Sequence, residues 1–291
     1  LGVATLASGS AAAGGEEHKE NDEDEDREEL DTGTSPIVIN DPGEYVLDED
    51  YEVEDGIGVL ITAPNVSLFG DGNTISGNGD GRGIVLDADP ASTATGTGAE
   101  DVTIENIELE DLEVGIRLLE PNRTYINNTT VSDCETGFIE EDTEDTVLEN
   151  NEFISSDVDL ESSEGTVLAG NVITDTDISG LLVRDVSNAT IINNTISDHD
   201  GPGVILTNTS ESLLFRNEIT DNEIDGVLFN GDSDNRLILN RITDNGDDGI
   251  QFGENADGNT IIRNNLNDNE DEPCEVDDDS TDNIFEMNDP E

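Results

Sequence analysis

A repeat of 20 to 24 residues runs through most of this chain and limits the folds open to it. One apolar residue per repeat stands near a recurring Asp, and a second apolar position precedes it by five residues. A third apolar position follows a recurring Gly. The first of these columns consists of Leu109, Val131, Phe153, Ile173, Ile196, Ile219, Ile242 and Leu266. Three short apolar segments without a helical period predict three short strands per repeat.

Strands of three to five residues cannot bury a core within one repeat. Each repeat therefore predicts one coil of a solenoid, whose strands stack in parallel on their counterparts about 4.8 Å away. The predicted domain order is a signal-peptide remnant (1–15), an acidic linker (16–35), an all-β solenoid (36–270) and an acidic tail (271–291). The solenoid would contain about nine to ten coils with three strands each.

An Asn column lies between the second and the first apolar columns. Asn tolerates the left-handed backbone of a sharp bend, and its amide can bond the Asn of the neighbouring coils. A stacked, structural Asn ladder explains the column better than an active site does. The ladder consists of Asn151, Asn171, Asn194, Asn217, Asn240 and Asn264.

The charge of the chain restricts its partners and its environment. Asp and Glu number 73 against 10 Lys and Arg, which gives a formal net charge of -63. Such a surface resembles that of proteins from extreme halophiles, and it argues against nucleic acid and anionic membranes as partners. The apolar N-terminal segment ends in small residues and predicts export, and nothing later is long enough for a membrane span. We therefore expect a secreted or cell-surface protein. The sequence does not define its oligomeric state.

The motif from Asn193 to Leu206, "NNTISDHDGPGVIL", resembles a repeat of the right-handed parallel β-helix family with the pectin-lyase-like fold. Altered copies follow at 216–229 and 239–252. The nearer resemblance is to the NosD-like repeats and to the carbohydrate-binding and sugar-hydrolase repeats. It implies a right-handed parallel β-helix that acts on, or binds, polysaccharide. One fold hosts many chemistries, so the resemblance says more about structure than about activity.

Carboxylates beside the repeat are candidate ligands for Ca²⁺, a hard cation that binds oxygen. The alternative is structural, because an Asp after Ser or Thr opens a turn by bonding backbone N–H groups. A metal role would place a cation beside the recurring Asp column. The candidate metal residues are Asp198, Asp200, Asp221, Asp244, Asp247 and Asp248.

Three arginines occupy similar parts of successive coils, namely Arg216, Arg241 and Arg263. They predict a shallow patch that clamps an acidic sugar, because guanidinium groups bind carboxylates through two hydrogen bonds. Arg184 is a further candidate base for a lyase. In a chain this acidic, the alternative is that each Arg bridges neighbouring carboxylates.

The leading functional hypothesis is an exported solenoid that binds or presents polysaccharide at the cell exterior. A polysaccharide lyase or glycoside hydrolase acting on a face of the helix is the first alternative. A NosD-like accessory role in copper-enzyme maturation is the second. Copper favours Cys, His and Met, and these residues are few and widely separated here, so the residues themselves do not support a copper role.

Overall fold

The computed structural model describes residues 27–87, 98–277 and 279–289. Within them the chain is all-β and forms three parallel sheets. The predicted signal remnant, most of the acidic linker and most of the insertion at 87–100 lie outside the described residues. No segment in the described part forms a helix that could span a lipid bilayer.

Each coil of about 23 residues contributes one strand to each sheet in turn, as parallel stacking of a repeat requires. The twelve-stranded sheet contains Glu28–Glu29, Gly43–Val46, Val66–Phe69, Glu100–Glu105, Asn122–Asn127, Val147–Glu149, Val167–Ala169, Thr190–Ile192, Leu213–Phe215, Arg236–Ile238, Thr260–Ile262 and Ile284–Glu286. The nine-stranded sheet contains Tyr51–Glu52, Thr74–Ser76, Glu108–Glu110, Thr130–Ser132, Glu152–Ile154, Val172–Thr174, Thr195–Ser197, Glu218–Thr220 and Arg241–Thr243. The eleven-stranded sheet contains Ile37–Ile39, Gly56–Ile61, Gly81–Asp87, Val114–Leu119, Thr136–Glu141, Asp157–Glu161, Leu181–Arg184, Val204–Thr207, Val227–Asn230, Ile250–Phe252 and Cys274–Val276.

The prediction of a β-solenoid with three strands per coil and nine to ten coils is confirmed. The apolar columns read from the sequence stack residue on residue, for example Val131 on Phe153 and Phe153 on Ile173. Their side chains are buried in one continuous core. Like residues therefore pack on like residues from coil to coil, and each added coil buries the exposed end of the previous one.

The bends between strands contain left-handed Asp residues and stacked Asn residues, at the Asp and Asn columns of the repeat. The recurring Asp adopts a left-handed backbone, with φ near 60° at Asp198, Asp221 and Asp244. Asn accepts hydrogen bonds inside the next bend: Asn217 Oδ1 accepts from both the backbone N and the Nδ2 of Asn194, each at 3.0 Å. The six predicted Asn are buried in one such ladder, which continues to Asn288.

The sheets continue past the limits of the predicted solenoid. Glu28–Glu29 pairs in parallel with the twelve-stranded sheet, inside the segment predicted as linker. Cys274–Val276 and Ile284–Glu286 add strands inside the segment predicted as tail. Both segments are acidic, yet their few apolar residues fall at the period of the repeat, and this places them in the sheets.

Candidate functional site

The strand Asp157–Glu161 gives the outer face of the eleven-stranded sheet an unusual pair of carboxylates. Val158 and Leu160 point into the core, so the alternation of a strand turns Asp157 and Asp159 outward. Both Asp are nevertheless buried, at 6% and 7% exposure. Outward carboxylates in so acidic a protein are ordinarily hydrated, and burial of two side by side therefore identifies a built site.

Two ion pairs that involve arginine lie on the same sheet face as these aspartates. Arg184 forms a hydrogen-bonded ion pair with Asp159 and lies 3.7 Å from Glu161. Arg117 binds Glu141 through two hydrogen bonds of 2.9 and 3.1 Å. Glu141 and Glu161 are direct neighbours in the sheet register. We call these residues the Asp157 site: Arg117, Glu141, Asp157, Asp159, Glu161 and Arg184.

Several polar atoms of the Asp157 site have no partner among the described residues although they are buried. They are Oδ1 of Asp157, Oδ1 of Asp159, and Nε of Arg117 and of Arg184. Leaving a buried donor or acceptor unsatisfied costs about 1–3 kcal/mol. These atoms are covered in this conformation, whereas the side chains of Arg184 and Glu161, 40% and 44% exposed, present donors and acceptors to a polar ligand, as hydroxyl groups require.

Burial controls the ionisation of the two aspartates. Burial and the neighbouring charge of Asp159 together raise the pKa of Asp157 to about 6, against the opposing effects of Thr136 and Arg184. Burial also raises the pKa of Asp159, against the attraction of Arg184. A carboxyl group that titrates near neutrality can carry a proton, which is the requirement for general acid–base chemistry.

The local sequence explains the pair and why sequence reasoning missed it. The coil from Phe153 to Ile173 has only 20 residues, and the sheet register shifts between Thr136 and Phe138. Asp157 consequently stands opposite Gly180, in the column where sister coils carry glycine. A carboxylate in a glycine column was the available signal.

The predicted arginine patch is divided by the structure. Arg241 lies on the nine-stranded sheet and binds Glu218 at 2.9 Å and Asp244 at 3.0 Å, which is the bridging alternative. Arg216 and Arg263 occupy the equivalent bend of two different coils, each directly after a strand of the twelve-stranded sheet. The guanidinium of Arg216 lies 4.8 Å from the Phe215 ring centre. The three side chains therefore do not form one patch.

The predicted metal residues divide in the same way. Asp198, Asp221 and Asp244 are exposed at left-handed bends, the arrangement expected of the structural alternative. Asp200 is exposed nearby, whereas the intervening His199 is buried in the solenoid interior.

Asp247 and Asp248 lie together with Asp225, an acidic residue that the sequence did not single out as a ligand. One potential ligand atom of each lies within 4.8 Å of the others, the only such group among the described residues. Asp225 Oδ1 accepts from the backbone N of Asp248, and Asp248 Oδ1 accepts from that of Glu272. Burial raises the pKa of Asp225 and of Asp248 to about 6.

Three parallel sheets, an Asn ladder and a core of stacked aliphatics define this protein as a parallel β-helix of the pectin-lyase-like type. Within that class, the chain belongs to the family described as periplasmic copper-binding protein (NosD). The family model matches residues 71–245 and 203–289. No curated protein sequence matches the chain significantly.

Solved structures with the same fold include proteins that act on polysaccharides. The periplasmic alginate epimerase AlgG is 16% identical, with a TM-score of 0.56, over 88% of this chain and 79% of its own. The Dettilon tailspike protein is 16% identical, with a TM-score of 0.68, over 90% of this chain and 58% of its own. The A-module of the Azotobacter vinelandii mannuronan C-5 epimerase AlgE6 is 18% identical, with a TM-score of 0.50, over 84% and 89%. At these identities the likeness concerns the fold.

The donor residues described here do not fit the copper that the family description names. His199 is fully buried, and a Cβ on Gly180 would lie only 2.2 Å from its Nε2, so the ring has no space for a metal. Cys134 lies about six coils, or ~30 Å, from Cys274. Cys274 and Met287 do line one cavity of about 660 Å³, but no His of the described residues joins them. The one convergent group consists of carboxylates, which suit hard cations rather than copper.

Proposed function

We propose that this protein binds polysaccharide outside the cytoplasm, with the Asp157 site as its binding surface. The observation that carries the proposal is the set of arginines and carboxylates on one outer sheet face, where the partly exposed Arg184 and Glu161 lie beside the buried Asp159. Sugars present many hydroxyl groups, each of which donates and accepts hydrogen bonds. The periplasmic setting in the family description and the polysaccharide named for AlgG support the location and the ligand class.

The geometry also supports an extended ligand. Arg117, Asp159 and Arg184 come from three different coils of the same sheet, so the site extends along the solenoid axis. Outward aliphatic side chains, namely Leu182, Ile205 and Leu228, continue the Asp159 column along the axis. Polar contacts at one end and apolar contacts beyond them suit a saccharide chain, whose rings have hydroxyl edges and apolar faces.

The test compares wild type with Asp159→Asn and Arg184→Gln on a polysaccharide array in molar salt. We expect wild type to bind at least one polysaccharide and each variant to lose about tenfold or more in affinity, since a hydrogen bond to a charged group contributes about 1.5–3 kcal/mol. Arg241→Gln is the matched control, because Arg241 and Arg184 are similarly exposed and both are ion-paired. Binding to no polysaccharide, or equal binding by both site variants, contradicts the proposal.

A second candidate function is cleavage of the bound polysaccharide by a lyase or hydrolase mechanism. The raised pKa of Asp157, about 6, favours it, because that carboxyl can exchange a proton near neutral pH. Incubation with each polysaccharide that binds, followed by analysis for shortened or unsaturated products, tests this function. Products that persist in Asp157→Asn would place any catalysis elsewhere.

Calcium at Asp247 and Asp248 stays a prediction of the sequence.

A further inference from the structure

The outer face of the twelve-stranded sheet carries no carboxylate over four consecutive strands. Thr190–Ile192, Leu213–Phe215, Arg236–Ile238 and Thr260–Ile262 contain apolar residues, threonines and one arginine. The chain as a whole has 73 acidic residues among 291. The eleven-stranded sheet has a similar acid-free stretch from Leu181–Arg184 to Ile250–Phe252, but its one arginine, Arg184, is ion-paired. We call the four strands of the twelve-stranded sheet, with the bend residues Arg216, Leu239 and Arg263, the arginine face.

The arginines of this face differ from the other described arginines in their partners. Every other described arginine lies within 4 Å of a carboxylate; these are Arg27, Arg82, Arg117, Arg123, Arg184 and Arg241. Arg216, Arg236 and Arg263 are exposed and form no ion pair within the described part of the chain. The three arginines without an ion pair therefore cluster on or beside this acid-free stretch of the twelve-stranded sheet.

The apolar side chains between these arginines are partly exposed. Ile192, Phe215, Ile238 and Ile262 follow one another in the sheet register and form an outward column. Leu239, at the bend between Arg216 and Arg263, is 41% exposed. The guanidinium of Arg216 lies over the Phe215 ring rather than over an acid. Carboxylates such as Glu211 and Asp234 stand at the turns that precede the strands, and Glu286 follows Ile262 in the column on the next strand.

We propose that the arginine face is a second binding surface, which takes a carboxylate-bearing polysaccharide lying along the solenoid axis. Arg216 and Arg263 are two coils apart, about 10 Å, and Arg236 comes from the coil between them. Guanidinium groups bind sugar carboxylates, and the aliphatic column contacts the apolar faces of the rings. Arg236 thus takes the place that the sequence had suggested for Arg241.

The dimensions of the face favour a saccharide chain over a protein partner. Four strands of three residues cover an area on the order of 200 Å², whereas a stable protein interface needs about 800 Å² on each side. The face is long along the axis and only one strand wide. An extended single chain matches this shape, and a second copy of the protein does not.

The experiment measures binding of polygalacturonate by the full chain in molar salt. Its fully methyl-esterified form, which lacks the negative charges, is the ligand control. We expect wild type to bind polygalacturonate and to bind the ester at least tenfold more weakly. The variant Arg216→Gln/Arg236→Gln/Arg263→Gln should lose about tenfold or more, since exposed ion pairs contribute up to about 1 kcal/mol each. Arg241→Gln, an exposed arginine on another sheet, should bind as wild type does.

Several outcomes overturn this proposal. They are no binding of polygalacturonate, equal binding of the acid and the ester, or an unchanged affinity in the triple arginine variant. A loss of self-association in the triple arginine variant would also overturn it, because the face would then be a contact between copies. The Asp157 site is tested separately by Asp159→Asn. If that variant loses binding while the triple arginine variant does not, the arginine face fails and the proposed function stands; the reverse result leaves only the arginine face.

Discussion

The Asn ladder allows a quantitative test of what holds the coils together, through the substitution Asn217→Ala. Asn217 Oδ1 accepts from the backbone N and the Nδ2 of Asn194, and its Nδ2 donates to the carbonyl of Ile191 at 2.8 Å. Alanine therefore leaves the buried backbone N–H of Asn194 without a partner and removes the amide bonds to Asn194 Nδ2 and to the Ile191 carbonyl. At about 1–3 kcal/mol for the unpaired N–H and about 1 kcal/mol for each of the two lost amide bonds, the variant should lose about 3–5 kcal/mol of stability.

Denaturant unfolding in molar salt, followed by circular dichroism, measures this loss. Asn230→Ala is the control, because Asn230 is exposed on an outer sheet face and its substitution should change stability by less than about 0.5 kcal/mol. A solenoid can also unfold coil by coil, so hydrogen exchange of the coils around Asn217 checks that the loss is local. A loss below about 1 kcal/mol for Asn217→Ala would refute the hydrogen-bond account, and core packing alone would then hold the coils.

Three further predictions concern titrating side chains. Burial lowers the pKa of His199 to about 4 from 6.5, so its contribution to stability is lost as pH falls through that range. His199→Asn, which copies Asn222 of the next coil, should flatten this acid limb in thermal unfolding; an unchanged limb would show that His199 does not cause it. Burial raises the pKa of Glu140, so stability declines as pH rises above 4.5, and Glu140→Gln should be more stable than wild type at neutral pH but not in acid. Asp159→Asn should lower the pKa of Asp157 below about 6 in a carboxyl NMR titration, and an unchanged value would mean that the two groups are not coupled.

The core of this fold could be predicted from the sequence because stacking repeats one environment many times. Ile191, Leu214 and Leu237 occupy equivalent buried positions, so each confirms the others. The same logic revealed the Asn ladder. It did not reveal Glu140, a buried carboxyl group in the column of Leu118 and Leu160, whose oxygens accept hydrogen bonds from Thr143 and Thr166.

The candidate sites were harder to predict, because they depend on departures from the repeat. Asp157 and Asp159 face outward together only through the short coil and its register shift. Arg241 and Arg263 look alike in the sequence, yet Arg241 begins a strand of the nine-stranded sheet, whereas Arg263 lies in the bend that follows a strand of the twelve-stranded sheet. The repeat position of a residue follows from its spacing along the chain. Its contacts with residues of other sheets depend on the geometry of each bend, which the spacing does not give.

The distribution of charge gives the arginine face a physical basis. Carboxylates concentrate at the bends, where a left-handed backbone favours Asp, while the strands of the arginine face carry none. In dilute buffer the net charge of -63 would repel an acidic chain before it reached any arginine. In molar salt the Debye length is about 3 Å, so this repulsion ends close to the surface while contacts at hydrogen-bond distance persist. An acidic protein in a salt-rich medium can thus bind an acidic polymer, provided that its unpaired cations lie on a face without competing carboxylates.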